Sequence, residues 1–126
     1  MRNPPQRPVH LDLPKIKLPI GGIVSILHRA TGIYLFLALP VLLYLFGQSV
    51  QSATGYTAAV DALHTFWGVL LLFGLIWSLL HHLLAGIRYL LIDVDVGVEK
   101  QPARQSAQAV LIAGPVLAIV LTWSIL

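Results

Sequence analysis

The chain has 126 residues, of which 57% are hydrophobic and only 10% charged, and its net charge is +3. A soluble domain carries roughly a quarter charged residues, so this composition points to a bilayer protein. The sequence has no cysteine, which excludes a thiolate-held iron–sulphur cluster, a disulfide and a thiol nucleophile.

No G-x-G-x-x-G or Walker-type fingerprint occurs either, so any electrons used here must arrive from another polypeptide. Residues 1–19 are polar and carry Pro4, Pro5, Pro8, Pro14 and Pro19. They lack the apolar stretch and small-residue cleavage site of a secretory signal, and they are too proline-rich for a transit peptide. We read them as a cytoplasmic N-terminal arm, separate from an anchor domain over 20–126. Pro19 suits the first turn of the helix that follows.

Three segments meet the requirement of roughly 20 mainly apolar residues for a membrane-crossing helix. They run over about 21–47, 62–92 and 105–126, and the second includes about 26 consecutive residues without a formal charge. Pro40 and Pro115 fall inside the first and third. Neighbouring helices can satisfy the carbonyls a proline frees. The apolar runs are continuous and do not alternate, which excludes a β-barrel. The expected fold is therefore an all-α membrane protein with three transmembrane helices.

Basic residues give an expected orientation. Arg2, Arg7, Lys15 and Lys17 precede the first span, and Arg88, Lys100 and Arg104 flank the second connection. The first connection, about 48–61, has no Lys or Arg. The positive-inside rule places the N-terminus in the cytoplasm and the C-terminus in the periplasm. This bias accounts for the net charge, so no nucleic-acid partner is invoked.

Chemistry concentrates in two runs. The first, His81-His82-Leu83-Leu84-Ala85-Gly86-Ile87-Arg88, lies deep in the second span. An imidazole in a bilayer is costly unless it is paired, wetted or metal-bound, and neutral imidazole is the usual protein ligand of haem iron. Gly86 follows His82 by one turn on the same face, where a missing side chain leaves clearance for a flat macrocycle. His81 points about 100° away, so the two imidazoles cannot both face one ligand.

The second run, Ser25-Ile26-Leu27-His28-Arg29-Ala30-Thr31-Gly32, sets Ser25, His28, Arg29 and Gly32 on one stripe of the first helix. An isolated arginine near a helix end simply snorkels to headgroups. Ser25 and His28 on the same face make Arg29 part of a polar pocket wall instead. A haem near His82 carries two propionates, and a planar guanidinium suits carboxylates. His82 is expected about 9 Å deeper than Arg88, with the propionates pointing up to His28 and Arg29. Trp67, Trp77, Trp123, Tyr44 and Tyr56 read as interfacial anchors or packing.

Arg7-Pro8-Val9 with Leu11-Asp12-Leu13, then Ser25-Ile26-Leu27-His28-Arg29-Ala30-Thr31-Gly32, and later His82-x-x-x-Gly86-Ile87-Arg88 with Asp93, together resemble the cytochrome b subunit family of bacterial succinate dehydrogenase. The resemblance covers most of the chain, although the third helix matches only in being apolar. It implies that His82, four residues before Gly86 and six before Arg88, is an axial ligand of haem b in preference to His81. It also implies that His28 and Arg29 contact the propionates, that Ser25 and Arg29 line a ubiquinone site, and that Asp93 helps deliver protons. Some relatives carry a second histidine where this chain has Tyr89.

The implied setting is the bacterial inner membrane. The implied partners are a second membrane anchor subunit giving the other haem ligand, an iron–sulphur subunit, a flavoprotein subunit and the lipid bilayer. On this reading the chain is a subunit of an oxidoreductase with no catalytic residue of its own. A fumarate reductase anchor, or a structural anchor without haem, are the alternatives.

Overall fold

The computed structural model describes residues 17–126. Most of the N-terminal arm, including Arg7-Pro8-Val9 and Leu11-Asp12-Leu13, lies outside the described residues. Four helices follow in chain order: α1 (Ile20–Gln51), α2 (Ala53–Leu63), α3 (Phe66–Asp93) and α4 (Lys100–Ile125). No strand occurs among the described residues. The three long helices are each apolar enough to cross a membrane, as the hydropathy pattern requires.

Helix α1 runs four residues past its expected end and α3 starts four residues after its expected start, and two further differences from the sequence reading have a local cause. The first connection is largely helical, because α2 fills most of it. Ser52 starts α2 with its hydroxyl oxygen, which accepts from the Gly55 amide at 3.0 Å, a standard N-cap. Thr65 starts α3 in the same way, accepting from Gly68 at 3.1 Å. The second difference is that α4 begins at Lys100, five residues before the apolar stretch. Lys100, Gln101 and Arg104 end a hydrophobic span, but nothing in them ends a helix, and Pro102 sits in the first turn where its missing N–H costs little. Pro40 and Pro115 are both accommodated inside helices.

Helix α3 packs between α1 and α4 and runs antiparallel to each. On α4 the contact stripe is Ala107, Val110, Gly114, Ala118 and Thr122, all buried. Their spacing of three and four keeps one narrow face toward α3. Four of the five are small or hydroxyl-bearing, which lets backbones approach closely where lipid offers no hydrophobic drive for helix association. Val24 of α1 and Ala85 of α3 complete a tight cluster with Ala107 and Val110, flanked by Ile20, Leu84, Tyr89 and Leu111. Large apolar side chains such as Phe36, Leu43, Leu71 and Ile119 face outward, as expected of a bilayer surface.

The element order brings Lys17, Arg88, Lys100 and Arg104 to one end of the bundle, and Trp67 and Trp123 to the other. Both tryptophans are exposed, as interfacial anchors require. Trp77 lies well inside α3, with its ring centroid 6.1 Å from that of His81, and serves packing. Arg88 has a different place from the boundary charge its sequence position implies. It is only 8% exposed, with Nε donating to the Ser106 hydroxyl at 3.0 Å and Nη2 to the Ala103 carbonyl at 3.1 Å. It therefore fastens the end of α3 to the first turns of α4.

Candidate functional site

The adjacent histidines of α3 face different neighbours. His81 is 1% exposed and points into the α3–α4 seam, where a Cβ on Gly114 would touch its own Cβ at 3.6 Å. Its Nε2 is buried without a hydrogen-bond partner among the described residues. His82, one residue or about 100° further round, turns toward α1 and is only partly covered. Its Nδ1 lies 3.0 Å from the main-chain carbonyl oxygen of His28. A carbonyl oxygen can only accept, so Nδ1 carries the hydrogen and the lone pair of the neutral ring sits on Nε2. That is the arrangement in which metal-binding imidazoles are held, with the far nitrogen free to ligate.

The His28 ring stacks on His82, with centroids 4.1 Å apart and planes 14° from parallel. The sequence reading set His28 nearer the membrane boundary than His82, and the structure puts them level. The cause is close contact between antiparallel helices at two glycines. A Cβ on Gly32 would lie 2.9 Å from His82 Cε1, so the ring sits where it does only because this position has no side chain; a Cβ on Gly86 would lie 3.6 Å from His28 Nε2. The space expected beside His82 from Gly86 is thus taken by His28, and Gly32 is the residue that makes room for His82.

The polar stripe of α1 divides between two directions. His28 and Gly32 meet α3, whereas Arg29 is exposed and reaches back one turn to donate from Nη2 to the Ser25 hydroxyl at 3.1 Å. Ser25 and Arg29 therefore form a pre-assembled pair of polar groups on an open flank beside the histidine stack. Thr31, buried, donates its hydroxyl to the carbonyls of Leu27 at 2.8 Å and His28 at 3.0 Å.

Asp93 ends α3 and is exposed. Gly21 of α1 lies beside Arg88, with a Cβ there meeting Nη2 at 3.8 Å. Asp93 is not gathered into the cluster. Tyr89 is, although sequence reasoning noted it only as a departure. Its ring meets His28 edge-on at 5.4 Å, and its hydroxyl is buried without a partner among the described residues. Its signal was positional: it follows His82 by seven residues and so shares that face of α3. Among the described residues no three His, Cys, Asp or Glu side chains converge on one point.

A family model described as succinate dehydrogenase/fumarate reductase transmembrane subunit matches residues 3–121. The chain belongs to this family. Among its relatives, the succinate dehydrogenase cytochrome b556 subunit of Paracoccus denitrificans is 36% identical over 116 residues, covering 92% of this chain and 88% of the relative. The protein of the same name from Coxiella burnetii is 38% identical over 117 residues, covering 92% and 93%. The one from Rickettsia bellii is 30% identical over 118 residues, covering 94% and 91%. As a member of the succinate dehydrogenase/fumarate reductase transmembrane subunit family with three apolar spans, the chain is a multi-pass protein of the bacterial inner membrane.

Proposed function

We propose that this chain is the membrane-anchor cytochrome b subunit of a succinate dehydrogenase, giving His82 to the iron of a b-type haem and Ser25 and Arg29 to a ubiquinone-reduction site. The observation that carries the proposal is the His82 imidazole: Nδ1 donates to the His28 carbonyl, and Nε2 keeps its lone pair on a partly open face. This donor set fits a haem that draws its second axial ligand from a companion membrane subunit, because one well-oriented imidazole is what this chain brings. His81, with Nε2 sealed in a helix seam, has no room to serve.

When bound, the haem supplies a one-electron store within the membrane. This chain's own residues bind, orient and exclude water. His28 and Arg29 donate to the propionate carboxylates, and the guanidinium makes the stronger, charge-assisted class of hydrogen bond. The Ser25 hydroxyl donates to a quinone carbonyl or to a bound water, and Arg29 stabilises negative charge developing on the quinone oxygen. Ubiquinone takes two electrons and two protons to become ubiquinol. The electrons come from succinate oxidised in a flavoprotein subunit and pass through an iron–sulphur subunit, a division of labour that suits a chain without cysteine. Asp93, exposed at the end of α3, supplies protons through intervening water. The positive-inside rule sets the Arg88–Lys100–Arg104 end, and with it this site, on the cytoplasmic side.

The test is a spectrum of the purified complex before and after succinate. The proposal expects a low-spin b-type haem, with succinate driving ubiquinone reduction. A complex that reduces ubiquinone with no b-type absorption leaves a structural anchor and refutes the haem assignment.

A further inference from the structure

We propose that Gly32 and the main-chain carbonyl of His28 are the positioning device for His82, fixing both its ring orientation and its tautomer. The inference rests on the haem reading and goes beyond it, because it says how the ligand is held rather than which residue it is. A histidine on a lone helix can rotate about two side-chain bonds and carry its hydrogen on either nitrogen. Here Gly32 leaves room for the orientation the ring takes, and the His28 carbonyl holds the ring there and selects the tautomer. Gly32 presents bare backbone to the edge of the ring, with positions 2.9 Å from Cε1 and 3.3 Å from Nδ1 that a Cβ would otherwise claim. The His28 carbonyl, on the same turn, takes the Nδ1 hydrogen at 3.0 Å.

Thr31 adjusts the strength of that contact. The His28 oxygen is the ordinary helical acceptor for the Gly32 amide, and it also receives the Thr31 hydroxyl at 3.0 Å. A carbonyl oxygen has two lone pairs, so Thr31 competes with His82 for them. The hydroxyl hydrogen is itself shared with the Leu27 carbonyl at 2.8 Å, which keeps the competition partial. A stronger bond from Nδ1–H to the carbonyl makes the imidazole a more basic ligand and favours ferric over ferrous iron.

Two substitutions with opposite expected signs test this on the purified complex, read by the low-temperature EPR signal of the ferric haem and its midpoint potential. Gly32→Ala drives a methyl into the ring edge and breaks the Nδ1 contact. The expected result is retained haem, a shifted low-spin g-value and a more positive potential. Thr31→Val keeps shape but removes the competing donor, so the potential moves more negative, and Thr31→Ser restores it. An unmoved g-value and potential in haem-containing Gly32→Ala overturns the proposal.

If Gly32→Ala assembles without haem, Thr31→Val decides: a negative shift supports the device, and an unchanged or positive one overturns it. Loss of haem from both also overturns it, reducing these residues to helix packing. Failure of the underlying reading looks different, because a wild-type complex would then show no b-type haem, or His82→Ala would keep a bis-imidazole spectrum.

Discussion

Ser25→Ala is the sharpest probe of quinone chemistry on the open flank of α1. The substitution removes one oxygen, and that oxygen has two uses. It accepts the Arg29 Nη2 hydrogen at 3.1 Å, which draws the guanidinium back one turn, and it is free to donate to a quinone carbonyl. A hydrogen bond involving a charged group contributes about 1.5–3 kcal/mol. Arg29 is exposed in this chain, so the lower end applies to the hook, about tenfold in rate at 1.4 kcal/mol per decade. Loss of direct contact with the quinone oxygen adds a similar factor, for a total on the order of 10²-fold.

The assay compares succinate-driven reduction of a ubiquinone analogue with reduction of a soluble dye that intercepts electrons upstream, in purified complex whose haem spectrum is checked first. Quinone reduction should fall about a hundredfold while dye reduction stays at the wild-type rate. Normal assembly, intact haem and wild-type quinone kinetics in Ser25→Ala would refute the role assigned to this pair.

Two further outcomes follow from the packing and the charge pattern. Ser106→Ala removes the acceptor of Arg88 Nε within the α3–α4 seam; thermal denaturation of the complex should show a loss of about 1–3 kcal/mol, and an unchanged midpoint would show that the Nε–Ser106 bond does not help fasten α4. A reporter fused near Val98 should register the cytoplasm and one fused at the C-terminus the periplasm; a cytoplasmic C-terminus would contradict the orientation assigned here.

The parts of this molecule visible in the sequence are those set by a single segment. Hydropathy alone delimits α1, α3 and α4 as spans, because lipid demands an unbroken apolar run. It misses α2, which is too short to span a bilayer and starts at a Ser52 cap, and it starts α4 late because Lys100, Gln101 and Arg104 are polar yet helical. The separation of His82 from His81 was readable from the 100° step between neighbours.

What could not be read is anything set by the register between helices. The level stacking of His28 on His82, the switch of roles between Gly32 and Gly86, and the turning of Arg88 into the α4 seam all depend on how far one helix slides along another. A partial signal existed for Arg88: Ser106 precedes a stripe of small residues on α4, the pattern of a close helix contact. Tyr89 was visible only as a departure from a motif, and its place against His28 emerges from the packing.

The central claim is that His82, and not its neighbour, ligates haem iron. The measurement is the reduced-minus-oxidised absorption spectrum of the purified complex carrying His82→Ala, beside one carrying His81→Ala. The account predicts that His82→Ala loses the low-spin b-type spectrum, even where some haem is retained by propionate contacts and apolar burial, and that His81→Ala keeps it. A normal bis-histidine spectrum in His82→Ala, or its loss only in His81→Ala, would contradict the account.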